Sequence, residues 1–257
     1  MKIALITGAS SGLGMEFALQ ICRTKDKPEE IWAVARRQER LLELRRSCSV
    51  PVRVLPLDLT EEGSIRKLKS LLEREKPEIQ ILICAAGFGK IGKYSEISLE
   101  DAGRMIDLNC RAAVEVTLLA LPWMKRGGRI LEICSTSAFQ PFPYLNVYAA
   151  SKAFLYRFSR ALRVELFDRG IRVTAVCPYW IKDTEFIPKA KDAGGGRAVR
   201  HFPLASRRKS VVKHALLDSR LGLPVSTPGP VCFLHRIAAK FLPGELMMGI
   251  WSLIRRI

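Results

Sequence analysis

The residues best suited to chemistry in this sequence are a tyrosine, a lysine and a serine. Tyr148 and Lys152 stand four residues apart in a helical pattern, so their side chains share one face and can meet. A free phenol has a pKa of about 10, which makes it a slow acid or base at neutral pH, and a neighbouring ammonium lowers that pKa. Ser135 ends an apolar run that precedes Tyr148 in the chain. The three residues predict proton transfer at an oxygen atom, with Tyr148 as the acid or base.

A glycine-rich turn joins the first apolar run to the first helical pattern. Residues 7–14 read Thr-Gly-Ala-Ser-Ser-Gly-Leu-Gly, and glycine there permits a tight turn, close approach of the backbone to a ligand, and packing of helix on strand. The helix N-terminus presents unpaired N–H groups and a positive dipole end to a pyrophosphate. Because the turn lies between a strand and a helix, it favours a dinucleotide site over a glycine-rich turn without a ligand. The predicted contacts are Gly8, Ser10, Ser11, Gly12, Leu13 and Gly14.

The residues after the second apolar run distinguish between two cofactors. A carboxylate there would bind the ribose 2′-hydroxyl of NAD, whereas arginine accommodates the 2′-phosphate of NADP. The chain has Arg36 and Arg37 at this place and no acid before Glu39. Arginine binds phosphate through a planar fork of donors, and cations are disfavoured at a helix N-terminus, so a purely structural role explains the pair poorly. The predicted cofactor is NADP(H).

Short apolar runs alternate with helix-length patterns along the chain. Most runs are continuously apolar, which is typical of strands buried on both faces of a parallel sheet. The alternation predicts a single-domain, doubly wound α/β fold: a Rossmann-like parallel sheet of about seven strands with helices on both faces. Strands are predicted over 2–7, 30–35, 52–57, 79–85, 128–135, 171–177 and, more weakly, 223–226. Helices are predicted over 12–23, 38–48, 61–76, 99–124 and 146–169.

In the order and spacing of its motifs, the chain resembles the short-chain dehydrogenase/reductase family. The resemblance covers residues 2–184 and implies hydride transfer between a nicotinamide cofactor and a carbonyl or alcohol. It implies that Tyr148 exchanges the proton with the substrate oxygen, that Lys152 lowers the pKa of Tyr148 and holds the nicotinamide ribose, and that Ser135 hydrogen-bonds the substrate. The motifs that carry it are residues 7–14, Asp58, Ala85-Ala86-Gly87, Asn109, Ser135, Tyr148 and Lys152.

The resemblance implies further roles for residues outside this triad. Asn109 would support a water-mediated proton relay to Lys152, and Asp58 would contact the adenine ring. Cys84 stands where the family often has asparagine and Tyr179 where it usually has glycine, but neither departure removes a proton-transfer group. The other implied cofactor contacts are Leu59, Ala85, Ala86, Gly87, Tyr148, Lys152, Pro178 and, at the nicotinamide amide, Ile181 and Thr184.

Aromatic residues are frequent around the reactive residues. A pocket walled by rings would suit an extended apolar carbonyl compound, steroid-like or acyl, although the same rings equally suit packing in the core. Residues 179–220 are predicted to form a mobile substrate loop. The predicted substrate contacts are Ser135, Phe139, Tyr144, Tyr179, Trp180 and Phe186, with Phe142 in the same segment.

The chain is strongly basic, with 42 Lys and Arg against 25 Asp and Glu and a net charge of +17. Such a balance favours an anionic partner: nucleic acid, an acidic membrane surface or a phosphorylated ligand. The basic residues lack the interleaved aromatics of an RNA-binding motif, so no nucleic acid is expected. Residues 231–257 predict two basic amphipathic helices, which suit either peripheral contact with an anionic membrane or packing on the protein itself or on a sister subunit.

The cysteines and histidines indicate the cellular compartment and whether a metal is expected. Seven cysteines form no CxxC motif, which favours reduced thiols in the cytoplasm, and no uncharged stretch reaches the roughly 18 residues of a membrane span. The three histidines lack metal-ligand spacing, so no metal is expected. Members of the family that the chain resembles associate through helices, which implies a homodimer or homotetramer.

The sequence thus predicts an NADPH-dependent carbonyl reductase, reversible as an alcohol dehydrogenase, that acts on a hydrophobic ketone or secondary alcohol. The alternative is an NADPH-binding regulator without turnover. Loss of the serine, tyrosine or lysine would be the usual sign of such a regulator, and all three residues are present.

Overall fold

The computed structural model describes residues 1–191, 199 and 204–255. Within these ranges, seven strands form one parallel sheet in the order β3-β2-β1-β4-β5-β6-β7. The predicted Rossmann-like fold is confirmed, including the weakly predicted seventh strand. The strands are β1 (Lys2–Thr7), β2 (Glu30–Ala35), β3 (Val52–Pro56), β4 (Glu78–Cys84), β5 (Arg129–Ile133), β6 (Arg172–Val176) and β7 (Val225–Ser226).

Ten α-helices surround this sheet in the described part of the chain. Residues 192–198, 200–203, 256 and 257 lie outside that part, and with them Gly194–Gly196 and the end of the predicted C-terminal helices. The helices are α1 (Gly12–Ile21), α2 (Gln38–Ser47), α3 (Glu62–Glu75), α4 (Leu99–Ile106), α5 (Ala112–Ala120), α6 (Asn146–Glu165), α7 (Phe186–Lys191), α8 (Arg208–Arg220), α9 (Pro230–Phe241) and α10 (Gly244–Ile254).

Both faces of the central strands are buried, which explains why the strands are continuously apolar. In β1, Ile3 and Leu5 pack into the core on one side of the sheet, whereas Ala4 and Ile6 pack into the core on the other. The chain order reverses between β1 and β4, which are neighbours at the centre. In open α/β sheets, ligands bind at this switch point, beyond the carboxyl ends of the strands.

The predicted helix 99–124 is interrupted, and the prediction of one continuous helix is wrong. Between α4 and α5, Asp107–Arg111 forms a π-helical turn, and a short 3₁₀ turn, Leu121–Trp123, follows α5. A π turn inserts one residue into the helical winding and often marks a functional position. Here the turn carries Asn109, whose side chain is fully buried.

The two C-terminal helices leave most of their apolar side chains in solvent. Phe233, Leu234, Phe241 and Leu253 are 54%, 63%, 74% and 67% exposed. The interpretation that these apolar side chains pack on the protein's own body is therefore wrong. Other side chains attach the two helices, notably the buried Trp251. None of the helices in the described ranges combines the length and apolarity needed to cross a bilayer.

Candidate active site

The glycine-rich turn after β1 lies directly against the end of β4. Gly8 has a left-handed φ of +66°, and a side chain there would come within 2.7 Å of the backbone of Ala85 and Ala86. A side chain at Gly14 would overlap the carbonyl of Gly8. Gly14 therefore serves the packing of α1 on the turn, whereas the predicted contacts from Gly8 to Leu13, apart from Ala9, line a cleft.

One elongated cleft runs along the carboxyl ends of the strands. It collects residues from the ends of the six strands β1 to β6, as expected for a switch-point site. Of the predicted cofactor contacts, the cleft is lined by Gly8, Ser10, Ser11, Gly12, Leu13, Arg36, Arg37, Asp58, Leu59, Ala85, Ala86, Gly87, Tyr148, Lys152, Pro178, Ile181 and Thr184. These residues suit a dinucleotide, with small residues beside the helix N-terminus and two arginines at one end.

At one end of the cleft, Arg36 and Arg37 each face an acidic side chain. Arg36 lies 3.6 Å from the carboxylate of Asp58. Burial by itself would raise the pKa of Asp58, but hydrogen bonds from Thr60 and the charge of Arg36 lower it overall. Arg37 forms an ion pair with Glu185 at 2.9 Å. The acid at position 185 was not predicted to be a functional residue, although its place beside Thr184 was a signal.

At the other end of the cleft, Ser135, Tyr148 and Lys152 come together as predicted. Ser135 hydrogen-bonds Tyr148, which lies in α6 and is 8% exposed. The Nζ of Lys152 donates to the carbonyl oxygen of Ile133 at 2.7 Å and lies 5.9 Å from the centre of the Tyr148 ring.

The proton chemistry of this triad differs from the expectation in one respect. Burial raises the pKa of Tyr148, and the hydrogen bond from Ser135 opposes that rise. Burial likewise lowers the pKa of Lys152. The expectation that Lys152 holds the pKa of Tyr148 below its ordinary value is therefore wrong, because burial outweighs the groups that would lower it.

Asn109 lies beneath the cleft rather than in its wall. Its Oδ1 accepts from the N–H of Phe88 at 3.0 Å, and its Nδ2 donates to the carbonyl of Phe88 at 2.9 Å and to Ser151 Oγ at 3.0 Å. A side chain at Gly87 would meet both Asn109 Oδ1, at 2.8 Å, and Lys152 Nζ, at 3.3 Å. Asn109 thus fixes the chain after β4 and stands beside Lys152, and the proton relay through it stays a prediction.

Aromatic side chains wall the cleft beyond the triad. Tyr179, Trp180 and Phe186 line it, as predicted, and the Phe186 ring lies 5.4 Å from the Tyr148 ring. Phe142, already noted in the sequence, also lines the cleft, together with Phe88 and Leu145. Phe88 was missed, although it directly follows the Ala-Ala-Gly motif.

Two predicted substrate contacts are wrong. Phe139 ends a 3₁₀ turn that points its ring away from the cleft, into edge contacts with Tyr156 at 5.5 Å and His235 at 6.0 Å. Tyr144 has a φ of +69°, and its ring lies under the guanidinium of Arg255 at 3.8 Å. Both rings instead attach the C-terminal helices to the body of the protein.

A buried carboxyl group lies behind the triad and was also missed. Glu132 of β5 is fully buried, and its Oε1 accepts from Thr117 Oγ1 at 2.7 Å. Its Oε2 has no hydrogen-bond partner among the described residues. Burial raises the pKa of Glu132 to about 7. The sequence signal was an acid placed between the apolar residues Leu131 and Ile133 of a strand.

The family of the chain follows from its sequence. Residues 2–193 match the family model described as short chain dehydrogenase. The chain belongs to this family, as its motifs predicted. The NADP-dependent 3-hydroxy acid dehydrogenase YdfG of Escherichia coli is 34% identical over 203 residues, which span 78% of this chain and 81% of that enzyme.

Solved structures of the same family have the same fold. A short-chain dehydrogenase from Sphingobium yanoikuyae in complex with NADPH is 29% identical, with a TM-score of 0.78 over 100% of this chain and 96% of that one. The bulky-bulky ketone specific alcohol dehydrogenase from Comamonas testosteroni is 26% identical, with a TM-score of 0.73 over 100% and 95% of the two chains.

Proposed function

We propose that the protein is an NADPH-dependent carbonyl reductase, reversible as an alcohol dehydrogenase, that acts on a hydrophobic ketone or secondary alcohol. One observation carries the proposal: a single cleft joins the glycine turn and two arginines to Ser135, Tyr148 and Lys152. The Escherichia coli relative is NADP-dependent, and the Sphingobium structure contains NADPH. The cofactor, when bound, supplies the hydride.

The side chains of this protein would manage the substrate oxygen and its proton. Ser135 and Tyr148 are hydrogen-bonded to each other, so both hydroxyls can reach one carbonyl oxygen placed beside them. Because burial raises its pKa, Tyr148 holds its proton at neutral pH and can donate it in the reductive direction. Lys152 is buried next to this pair and lines the floor of the cleft, where the ribose of the cofactor is expected.

The substrate class follows from the aromatic wall. Phe88, Phe142, Trp180 and Phe186 offer apolar surface around the two hydroxyls, and apolar pockets with a few polar groups suit apolar ligands. The Comamonas relative is specific for bulky ketones, which agrees with a steroid-like or acyl compound here. The loss of NADPH absorbance with a panel of ketones, from steroid to short-chain acyl, tests this.

The result of this panel separates the enzyme from the alternative. Turnover of at least one apolar ketone, with a preference over small polar ketones, supports the proposal. Tight binding of NADPH without turnover of any ketone in the panel contradicts it and favours a cofactor-sensing regulator.

Homo-oligomerisation is the first proposed partnership. Apolar side chains on α5, on α6 and in the turn directly after α6 are exposed, and Leu118, Phe154, Val164 and Phe167 are 49–80% accessible. We propose that these helices and the turn after α6 form the contact of a homodimer or homotetramer. Sedimentation of the parent and of Phe167→Ser tests this, since a lower mass is expected for the variant.

The second proposed partner is a membrane, which the protein would contact peripherally from the cytoplasm. All seven cysteines are free thiols. The exposed rings and aliphatic side chains of α9 and α10 lie beside Arg236 and Lys240, a combination that suits an anionic bilayer surface. Co-sedimentation with vesicles that contain anionic lipid should fall for Phe241→Ser, which leaves the buried anchor Trp251 unchanged. Equal co-sedimentation would contradict this contact.

A further inference from the structure

The carboxylate of Glu185 already pairs with Arg37, one of the two arginines assigned to the 2′-phosphate. Glu185 accepts two hydrogen bonds from Nη1 of Arg37, at 2.9 and 3.2 Å. The Nε and Nη2 atoms of the same guanidinium both face the Oγ of Ser10, at 3.4 Å. All three nitrogens of Arg37 are thus engaged within the protein. Glu185 therefore takes the position on Arg37 that a phosphate dianion would take.

This ion pair joins two distant parts of the chain across the cleft. Ser10 and Arg37 belong to the turns after β1 and β2, whereas Glu185 precedes α7. Glu185 lies between Thr184, assigned to the nicotinamide amide, and Phe186, whose ring lies 5.4 Å from the ring of Tyr148. The ion pair thus connects Arg37 to the segment that contacts the reactive tyrosine.

The ion pair between Arg37 and Glu185 is one in which a phosphate can replace the carboxylate. The Arg37 and Glu185 side chains are 36% and 39% exposed, and ion pairs of this exposure are weak. A phosphate dianion offers Arg37 more charge and more acceptor oxygens than a carboxylate does. Lys189, one helical turn further on, donates to the same Glu185 carboxylate at 2.6 Å. Glu185 thus keeps a cationic partner after Arg37 has left, and the exchange leaves no carboxylate unpaired.

We propose that Glu185 is a specificity-determining residue that competes with the 2′-phosphate of NADP(H) for Arg37. On this account, a 2′-phosphorylated nucleotide releases residues 184–191 from the phosphate turn, and a nucleotide without that phosphate leaves them attached. The inference rests on the proposed contact between Arg37 and the 2′-phosphate. It follows that recognition of the adenosine half of the cofactor controls the segment over Tyr148, because a ligand shifts an equilibrium only through its differential affinity for the two states.

Equilibrium binding of two adenosine fragments tests the competition without any turnover. The probes are 2′,5′-ADP, which carries the 2′-phosphate, and 5′-AMP, which lacks it, titrated calorimetrically into the full chain. Glu185→Gln should tighten 2′,5′-ADP about three- to tenfold and change 5′-AMP less than about twofold, since only the former competes for Arg37. Glu43→Gln is the matched control, because Glu43 pairs with Arg40 on α2 and does not touch Arg37. Unchanged affinity for 2′,5′-ADP, or equal gains for both fragments, would overturn the inference.

A third variant separates this inference from the cofactor assignment on which it rests. Arg37→Met should remove most of the preference for 2′,5′-ADP over 5′-AMP. If Arg37→Met loses the preference while Glu185→Gln gains nothing, the competition is refuted and the arginine assignment stands. If Arg37→Met keeps the preference, the assignment itself is wrong, and the competition falls with it.

Hydrogen exchange gives a second readout, which holds even if the affinity change is small. Amides of residues 184–191 should exchange faster with 2′,5′-ADP than with 5′-AMP, because only the former frees Glu185 from Arg37. In Glu185→Gln the same amides should exchange fast with either fragment. Equal exchange with both fragments in the parent protein would overturn the release of the segment.

Discussion

The ammonium group of Lys152 donates a hydrogen bond to the carbonyl oxygen of Ile133 at 2.7 Å. Ile133 ends β5, and Ser135 follows two residues later, so one strand end positions two members of the triad. Tyr148 reaches them from α6. Burial raises the pKa of the Tyr148 phenol and Ser135 lowers it, and the balance between the two can be measured.

The first prediction concerns the ionisation of Tyr148. Burial raises its pKa above the ordinary value of 10.0, so the phenol should remain protonated at pH 10, where an ordinary tyrosine is half ionised. Ultraviolet difference titration of the parent against Tyr148→Phe, without cofactor, isolates this group. Ser135→Ala should move the transition to still higher pH, because the Ser135 hydrogen bond lowers the pKa. A transition below pH 10 would contradict the account.

The second prediction is the loss of turnover in Tyr148→Phe. Removal of a positioned acid typically costs about 100- to 10,000-fold in rate, and the substitution removes one oxygen atom without opening a cavity. Affinity for NADPH should stay within a few-fold. Steady-state rates and cofactor titration measure the two effects. Tyr156→Phe is the control, because Tyr156 packs on Phe139 away from the cleft and its variant should keep full turnover.

The third prediction concerns the choice of cofactor. Replacement of Arg36 and Arg37 together by glutamine should weaken NADPH by roughly 10- to 100-fold and NADH far less, because charge-assisted bonds to the 2′-phosphate are lost. Fluorescence titration with both cofactors measures the ratio. The double variant of Arg45 and Arg46, in the last turn of α2, makes the same change of charge outside the cleft. Equal losses for NADPH and NADH would show that the arginines do not read the phosphate.

The fourth prediction concerns the buried carboxyl of Glu132. Its pKa is raised from 4.5 in the unfolded chain to about 7 in the folded protein, so the folded state binds the proton more tightly. Its contribution to stability is fully present below pH 4.5 and is lost as the pH rises through 7. The loss amounts to roughly 3 kcal/mol.

Glu132→Gln should therefore flatten the pH dependence of stability. The amide can still accept from Thr117 and carries no charge to desolvate, so the variant should be more stable than the parent above pH 7. Urea unfolding at several pH values measures the difference. A variant that is less stable than the parent above pH 7 would show that the ionised carboxylate is stabilised by Lys152 more than burial destabilises it.

Much of the site could be predicted because its parts are local in the chain. The turn at residues 7–14 and the pair Tyr148 and Lys152 each need only a few neighbouring residues and a known element, and both lie in the cleft. The arginines after β2 follow the same logic. In contrast, Glu185 could be recognised as a candidate functional residue only after the structure placed it against Arg37, since the two are 148 residues apart.

The sequence by itself determined the alternation of strands and helices, because strands buried on both faces must be apolar throughout. It also determined which residues could transfer a proton or bind a phosphate. Only the tertiary structure decided which aromatic rings face the cleft. Phe139 and Phe142 are three residues apart in one connection, and both rings contact His235. Phe139 ends a 3₁₀ turn and packs on Tyr156 outside the cleft, whereas Phe142 lines the cleft. Ring direction depends on backbone angles in an irregular segment, and no periodic pattern encodes those angles.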